Sequence, residues 1–474
     1  MRRPRTRHAA PLLLLLALHA PSLGAQRRAT PPRPFGTLRE QAALQQRWLD
    51  ERLRRVLPAL LREHGVDLWV VPMREYNEDP VFTSLVAPTT FAARRRTIYV
   101  FHDRCAERRT AGQPCAPGDT VDRIALGGTS QGGLYQAMRS VRAAAGPAGA
   151  NEQAQAELWG DEQWEALRDV IVPRRPRRIA VDVSRVWNFA DGLSAGELEG
   201  MREALGPDLA ARIVHVDALP VDLIATRVPA EDSVFTRMNA LAWSIIEQAF
   251  SSAVIRPDVT TTEDVVWWMR QRVNDLGLGS WFQPSVTVQR RGTNAQQLGP
   301  DPVIRRGDVL HCDFGVTALR LNTDTQHMGY VLRPGEREAP AGLRRALATA
   351  NRLQDIVVAE LRPGRTGNEV LAASRARMRE AGIDGTIYSH PIGMHGHGAG
   401  PLIGLWDRQE GVPGRGDARA RPSTWFSIEL QATSPIAEWD GQRVRMGQEE
   451  DVIVDASGAV RWAWKRQTAL HLVR

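Results

Sequence analysis

The chain has 474 residues, is 43% hydrophobic and carries a formal charge of +7. That length suits two domains better than one, and that apolar share supplies a sizeable core and excludes a disordered chain. The basic excess does not signal nucleic acid: Lys465 is the single lysine, the arginines are scattered among acids as in "LLREHGVDL", and the short runs "ARRRT" and "PRRPRR" form no basic stripe.

The chain opens with "MRRPRTR" and then "AAPLLLLLALHAPSLGA", a basic start, a leucine core and a small-residue exit. This pattern predicts a secretory signal peptide over residues 1–25, cleaved near Ala25, which would lower the formal charge to +3 and export the protein to the periplasm or beyond the cell. The run is too short and too proline-interrupted for a transmembrane span, although an uncleaved anchor stays an alternative. Residues 40–64 read as a helix with Leu44, Trp48, Val56, Leu60 and Leu61 along one stripe, kinked at Pro58 and stopped by Gly65. "VDLWVVP", "RTIYVF" and "RRIAVDVS" read as buried strands. Between them, Cys105 and Cys115 share a polar loop where a bridge would contribute roughly 2–3 kcal/mol; the sequence leaves the pairing open. The alternation of helices and strands predicts a separate α/β domain over residues 35–225.

Beyond residue 232 the texture changes. A long amphipathic helix, "SVFTRMNALAWSIIEQAFSSAV", leads into "IRPDVTTTEDVVWWMRQRVNDLGL", and "LRPGRTGNEVLAASRARMREAGI" repeats its plan about a hundred residues later. Thr261 or Thr262 in the first and Thr366 in the second sit at helix N-cap positions. The pair suggests a duplicated helix-and-strand unit, with two unrelated helix starts as the alternative.

Acids then fall on strand-like runs. "DVLHCDFGVT" puts His311 and Asp313 on one face and Cys312 on the other, a small core residue. A turn at Gly315 would let "LRLNTDTQHMGYVL" return with Asp324 beside Asp313. "STWFSIELQAT" carries Glu429 on the face of Ser427 and Gln431, and "GQEEDVIVDASG" carries Glu449 and Glu450. Bare carboxylates at such spacing repel, and burying them unpaired is expensive. With a histidine from "SHPIGMHGHGAGP" (His390, His395 or His397), they predict a dinuclear metal site. Oxygen-rich ligands with one imidazole favour Mn²⁺ over a thiolate zinc site. "DFG" is no kinase motif here, because no glycine-rich loop or His-Arg-Asp loop accompanies it.

Residues 232–474 resemble the pita-bread metallopeptidases of family M24, which include Xaa-Pro aminopeptidases and prolidases. The resemblance rests on "DFG", on the eleven-residue step from Asp313 to Asp324, on "HPIG" with a second histidine seven residues on, on "SIEL" and on Glu449 five before Val454. It implies an α+β pita-bread (creatinase/aminopeptidase-like) C-terminal catalytic domain. Residues 35–225 resemble the creatinase/prolidase N-terminal domain more loosely. It implies metal ligands Asp313, Asp324, His390, Glu429 and Glu449, with two divalent ions, Mn²⁺ first and Zn²⁺ or Co²⁺ as alternatives. Glu429 would also take the proton of the attacking water, and His397 would face the oxyanion. The competing register makes "GHGAG" the ligand motif and His397 the ligand, but position 404 is then glycine where a histidine belongs. His395 and Arg445 are candidates for substrate contact, and Trp406 and Trp425 lie near the motifs.

There are departures. "TNAQQLGPD" has Gln296 and Gln297 where the family has a histidine, "LQA" replaces Pro-Gly after Glu429, and no arginine stands two before Glu449. The implied activity is removal of an N-terminal residue preceding proline from a peptide. A prolidase-like dipeptidase and a noncatalytic binding protein on the same fold are the rivals. No nucleic acid and no membrane span after cleavage are expected, and a homo-oligomer is left open.

Overall fold

The computed structural model describes residues 33–116, 118–139 and 158–474; the leader at 1–25 lies outside them. The first sheet contains β1 (Leu68–Arg74), β2 (Arg96–Asp103), β3 (Val121–Leu126), β4 (Gln136–Met138), β5 (Ile179–Val181) and β6 (Ile213–His215). Their order is β4-β3-β2-β1-β5-β6, with antiparallel pairing around β2 and parallel pairing of β5 with β1 and β6. "LWVV" is apolar throughout because both faces are covered. Leu68 and Val70 pack with Trp164, Leu167 and Met201, whereas Trp69 and Val71 pack with Leu53, Leu57 and Leu60 from the first helical segment.

That segment begins with Thr37 and Glu40 capping each other and runs through residue 63. Before Pro58 it widens into a π-turn, Arg52–Val56, in which the Leu57 amide reaches back to the Arg52 carbonyl. Proline has no N–H for the ordinary ladder, so the helix absorbs it as an extra residue in one turn. The helical stop at Gly65 has φ of +63°. Cys105 and Cys115 are joined, with Cα atoms 5.3 Å apart. Cys312 is buried in the second sheet's core.

The second sheet is built from β7 (Ser285–Gln289), β8 (Val309–Phe314), β11 (Thr325–Val331), β12 (Asp384–Ile387), β13 (His390–Pro391), β14 (Thr424–Ile436), β15 (Gln442–Val454), β16 (Val460–Trp462) and β17 (His471–Val473). Its main path is β12-β14-β15-β11-β8-β7. Two helix pairs back it. Thr261 and Asp264 cap one helix reciprocally, and Thr366 and Glu369 cap its counterpart. A long helix precedes each, Pro229–Ala249 and Ala341–Glu360, and an edge strand follows each, β7 and β12 at opposite ends of the path. This arrangement is what a duplicated unit requires. Leu310, Cys312 and Phe314 pack with the first pair, and Ile428 and Leu430 with the second, which leaves the alternate positions facing away from the helices.

Between β8 and β11 the chain makes a separate small hairpin, β9 (Thr317–Ala318) and β10 (Leu321–Asn322), rather than a single turn at Gly315. Leu319 and Arg320, at φ of +54° and +64°, form its tip. Such left-handed pairs suit the twist of a two-residue hairpin but strain ordinary side chains. The Arg320 guanidinium offsets that strain by donating to the carbonyls of Thr83, Val86, Ala87 and Thr90 in the N-terminal part.

Among the described residues no helix is long and apolar enough to cross a membrane. A second tie, from the N-terminal helical segment to the helix Pro229–Ala249, is a buried ion pair. Arg52 donates to Glu231 at 2.7 Å and to the carbonyls of Leu223 and Thr226. Arg52→Met should leave the Glu231 charge unpaired and cost about 3–5 kcal/mol in chemical denaturation, whereas Arg52→Met with Glu231→Gln should recover a large part of that loss.

Candidate metal and active site

The sheet register assembles the site. Asp313 on β8 stands opposite Gln326 on β11, Gln326 opposite Glu449 on β15, and Glu449 opposite Glu429 on β14. One row along, Asp451 stands opposite Ser427 and Ser427 opposite His390 on β13. Asp324 lies two residues before Gln326 and joins the second row, its amide donating to Asp451 Oδ2 at 3.3 Å. Residues two apart on a strand share a face, so both rows project together.

His390 Nδ1 donates to the Pro391 carbonyl at 3.0 Å, which turns Nε2 toward the acids. Nε2 lies 3.1 Å from Glu449 Oε1, 3.4 Å from Glu429 Oε2 and 3.9 Å from Asp324 Oδ2. Asp324, His390 and Glu449 each offer a ligand atom, all within 4.8 Å of one another. Ser427 Oγ donates to Glu449 Oε1 at 2.7 Å, and Gln326 Nε2 donates to Glu429 Oε1 and Glu449 Oε2, both at 2.8 Å. Asp313 flanks this group beside Asp324.

The electrostatics demand a counter-charge. Burial, then the Glu449 charge, raises Asp313, Asp324 and Asp451 well above the carboxylate range and Glu429 to about 7. Burial alone would lower His390, but hydrogen bonds to Glu429 and Glu449 outweigh it and raise the imidazole to about 10. Asp313 Oδ1, Asp324 Oδ1 and Asp451 Oδ1 are buried with no protein partner. Orphaned carboxylate oxygens beside one imidazole, with the Cys312 thiol turned into the core, are a donor set for hard or borderline divalent cations.

His397 lies next to this group rather than in it. Its ring is 5.0 Å from His390 and 5.3 Å from Trp281. One side is open to solvent, but lost hydration on the other, then the His390 charge, lowers it to about 4, so it is neutral near pH 7. Arg415 donates to the carbonyls of His397 and Gly398, fixing the loop. Only glycine fits at 398: a Cβ there would lie 1.7 Å from the Phe189 ring. His395 points elsewhere. It stacks on Phe189 at 4.8 Å, with Nε2 3.5 Å from Thr83 Oγ1, and so ties the loop to the N-terminal part.

A cavity of about 320 Å³ opens over the row and is lined by Asp313, Tyr388, Trp406, Glu429 and Arg445. Arg445 is exposed at its mouth and Trp406 forms a wall. Trp425 does not; it stacks flat on Phe235 in the core at 3.8 Å. Gln296 and Gln297 lie on an exposed one-turn helix, where Gln297 serves as the partner of the Asn294 cap. Position 447 has no room for a side chain: a Cβ on Gly447 would come 2.9 Å from His311 Nε2 and 3.3 Å from Gln326 Oε1. His311 itself is pushed down to about 4 by burial. Sequence reasoning missed Asp451, Gln326, Trp281 and Tyr388. The i,i+2 steps Glu449–Asp451 and Asp324–Gln326 were the available signal for two of them.

Residues 238–456 match the model of metallopeptidase family M24. No curated protein sequence matches the chain. Among solved structures, the X-Pro aminopeptidase from Thermotoga maritima is similar at a TM-score of 0.57 and 15% identity, over 88% of this chain and 100% of that one. The Xaa-Pro dipeptidase from Bacillus anthracis gives 0.53 and 16%, over 90% and 99%. The N-terminal domain of FACT complex subunit SPT16 from Cicer arietinum (chickpea) gives 0.55 and 11%, over 90% and 99%. Identities this low establish the fold, a pita-bread domain behind an N-terminal α/β domain. The chain thus carries, over residues 238–456, a region that matches the metallopeptidase family M24 model, on a fold shared with these structures.

Proposed function

We propose that the protein is an exported metallo-aminopeptidase that cleaves the bond before proline at peptide N-termini. The observation that carries this reading is the convergence of Asp313, Asp324, His390, Glu429 and Glu449 on one sheet face, with carboxylate oxygens left unpartnered. These five would hold two divalent ions, which would polarise the scissile carbonyl and acidify water. Mn²⁺ is favoured by the oxygen-rich donor set. Glu429 borders the cavity and would accept the proton of the attacking water. His397, neutral and beside His390, would donate its N–H to the developing oxyanion. An Xaa-Pro bond offers no amide N–H, so recognition falls to shape, and Trp406 and Tyr388 would supply walls.

Two rivals have their own support. Arg445 at the cavity mouth suits a free C-terminal carboxylate, as in a dipeptidase. The likeness to a subunit of the FACT complex fits a binding role on this fold. The Cys105–Cys115 bridge favours export, since such bridges persist in oxidising compartments.

With Mn²⁺ restored, purified protein should bind about two ions per chain and cleave Xaa-Pro-Xaa peptides faster than Xaa-Pro or Xaa-Ala-Xaa. Preference for the free dipeptide would favour the dipeptidase, and metal binding without hydrolysis of any peptide would favour the binding role. His390→Ala should strip metal and activity together. His397→Ala should retain metal and lose about 10²–10³-fold in kcat, the scale of one oxyanion donor. Swapped phenotypes would install "GHGAG" as the ligand motif. N-terminal sequencing of protein from its native host should begin near residue 26; an intact Met1 on soluble protein would contradict export.

A further inference from the structure

Gln326 occupies a position that none of the proposed metal ligands accounts for. It sits in the central row, between Asp313 and Glu449, and is buried. Its side-chain nitrogen lies 2.8 Å from Glu429 Oε1 and 2.8 Å from Glu449 Oε2. Each of these carboxylates turns its other oxygen to His390 Nε2, at 3.4 Å for Glu429 and 3.1 Å for Glu449. Both glutamates are thus divided in the same way, with an inner oxygen at the imidazole and an outer oxygen on one amide.

The amide's orientation is itself fixed. A carboxylate only accepts, so the NH₂ group must face the glutamates and Oε1 must face the opposite way. There, His311 Nε2 lies 2.9 Å from Oε1, and Thr287 Oγ1 lies 3.5 Å from His311 Nδ1. His311 therefore donates through Nε2, and a chain of contacts runs from β7 through β8 and β11 to the two glutamates. Glycine at 447 keeps this space open, because a Cβ would press on both His311 Nε2 and Gln326 Oε1.

We propose that Gln326 is a positioning residue for the metal site. Its amide clamps the outer oxygens of Glu429 and Glu449 so that their inner oxygens present a fixed pair to a divalent cation beside His390, and His311 locks the amide in that orientation. A neutral donor serves here without adding a charge that would repel the cation. The inference rests on the metal-site reading above.

The test uses the full-length protein, stripped of metal and titrated with Mn²⁺ by calorimetry. Gln326→Met keeps the length of the side chain and removes both donors. It should weaken Mn²⁺ binding about 10–100-fold, the usual scale for a group that orients metal ligands. At saturating Mn²⁺ it should lower kcat with KM little changed, while the melting temperature of the metal-free protein stays near wild type. His311→Leu should shift Mn²⁺ affinity in the same direction by a smaller factor. Asp324→Asn serves as the control. Loss of metal in Asp324→Asn with wild-type affinity in Gln326→Met overturns the role of Gln326 alone. Wild-type affinity in both overturns the metal-site reading and this inference with it. Should Gln326→Met fail to fold, His311→Leu decides, and unchanged affinity there overturns the clamp.

Discussion

The site depends on strand register. Asp313, Gln326, Glu449 and Glu429 stand in line across four neighbouring strands because each pairing falls on the same row. A slip of one residue in any strand would send its side chain to the opposite face and its apolar neighbours into the polar one. Several buried carboxylates oppose this arrangement by mutual repulsion. What holds it is the apolar reverse of the same strands: Cys312 and Phe314 on β8, and Ile428 and Leu430 on β14, locked against the helices. The longest paired segment is the hairpin of β14 and β15, thirteen residues on each side, and it carries both glutamates.

The loops around the site are held from the N-terminal part of the chain. Arg320 is bound to carbonyls of residues 83–90, His395 stacks on Phe189, and the Gly398 backbone lies against the same ring. Arg52 and Glu231 close the seam farther from the site. The N-terminal part supplies none of the clustered acids, yet it fixes both the hairpin that precedes Asp324 and the loop that follows His390.

Much of this plan was legible because period-two alternation is a local property. The faces of His311 and Asp313, and of Ser427 and Glu429, follow from reading single strands, and the two threonine caps follow from single helix starts. Rows across strands are not local. Nothing in "TDTQHM" alone reveals that Gln326 stands between Asp313 and Glu449, and nothing in "QEEDV" reveals that Asp451 meets Ser427 and His390. Proximity along the chain misled at His395, whose neighbour Gly396 lets the loop turn it toward the N-terminal part, and at Trp425, which the strand start directs into the core. The proline at 58 was visible, but proline alone does not say whether the helix will bend or, as here, widen over one turn before it.

The tip at Leu319 and Arg320 carries one more consequence. Its left-handed backbone is sustained by carbonyls some 230 residues away in sequence, and it lies a few residues before Asp324. Strain held in place by a distant partner makes the two parts of the chain thermodynamically interdependent. Loosening residues 83–90 would relax the tip, and relaxing the tip would disturb the approach to Asp324. A cation held beside Asp324 and the cohesion of the two parts of the chain would then reinforce each other reciprocally, as linkage requires. An ion bound on one sheet would act as a rivet for the whole molecule.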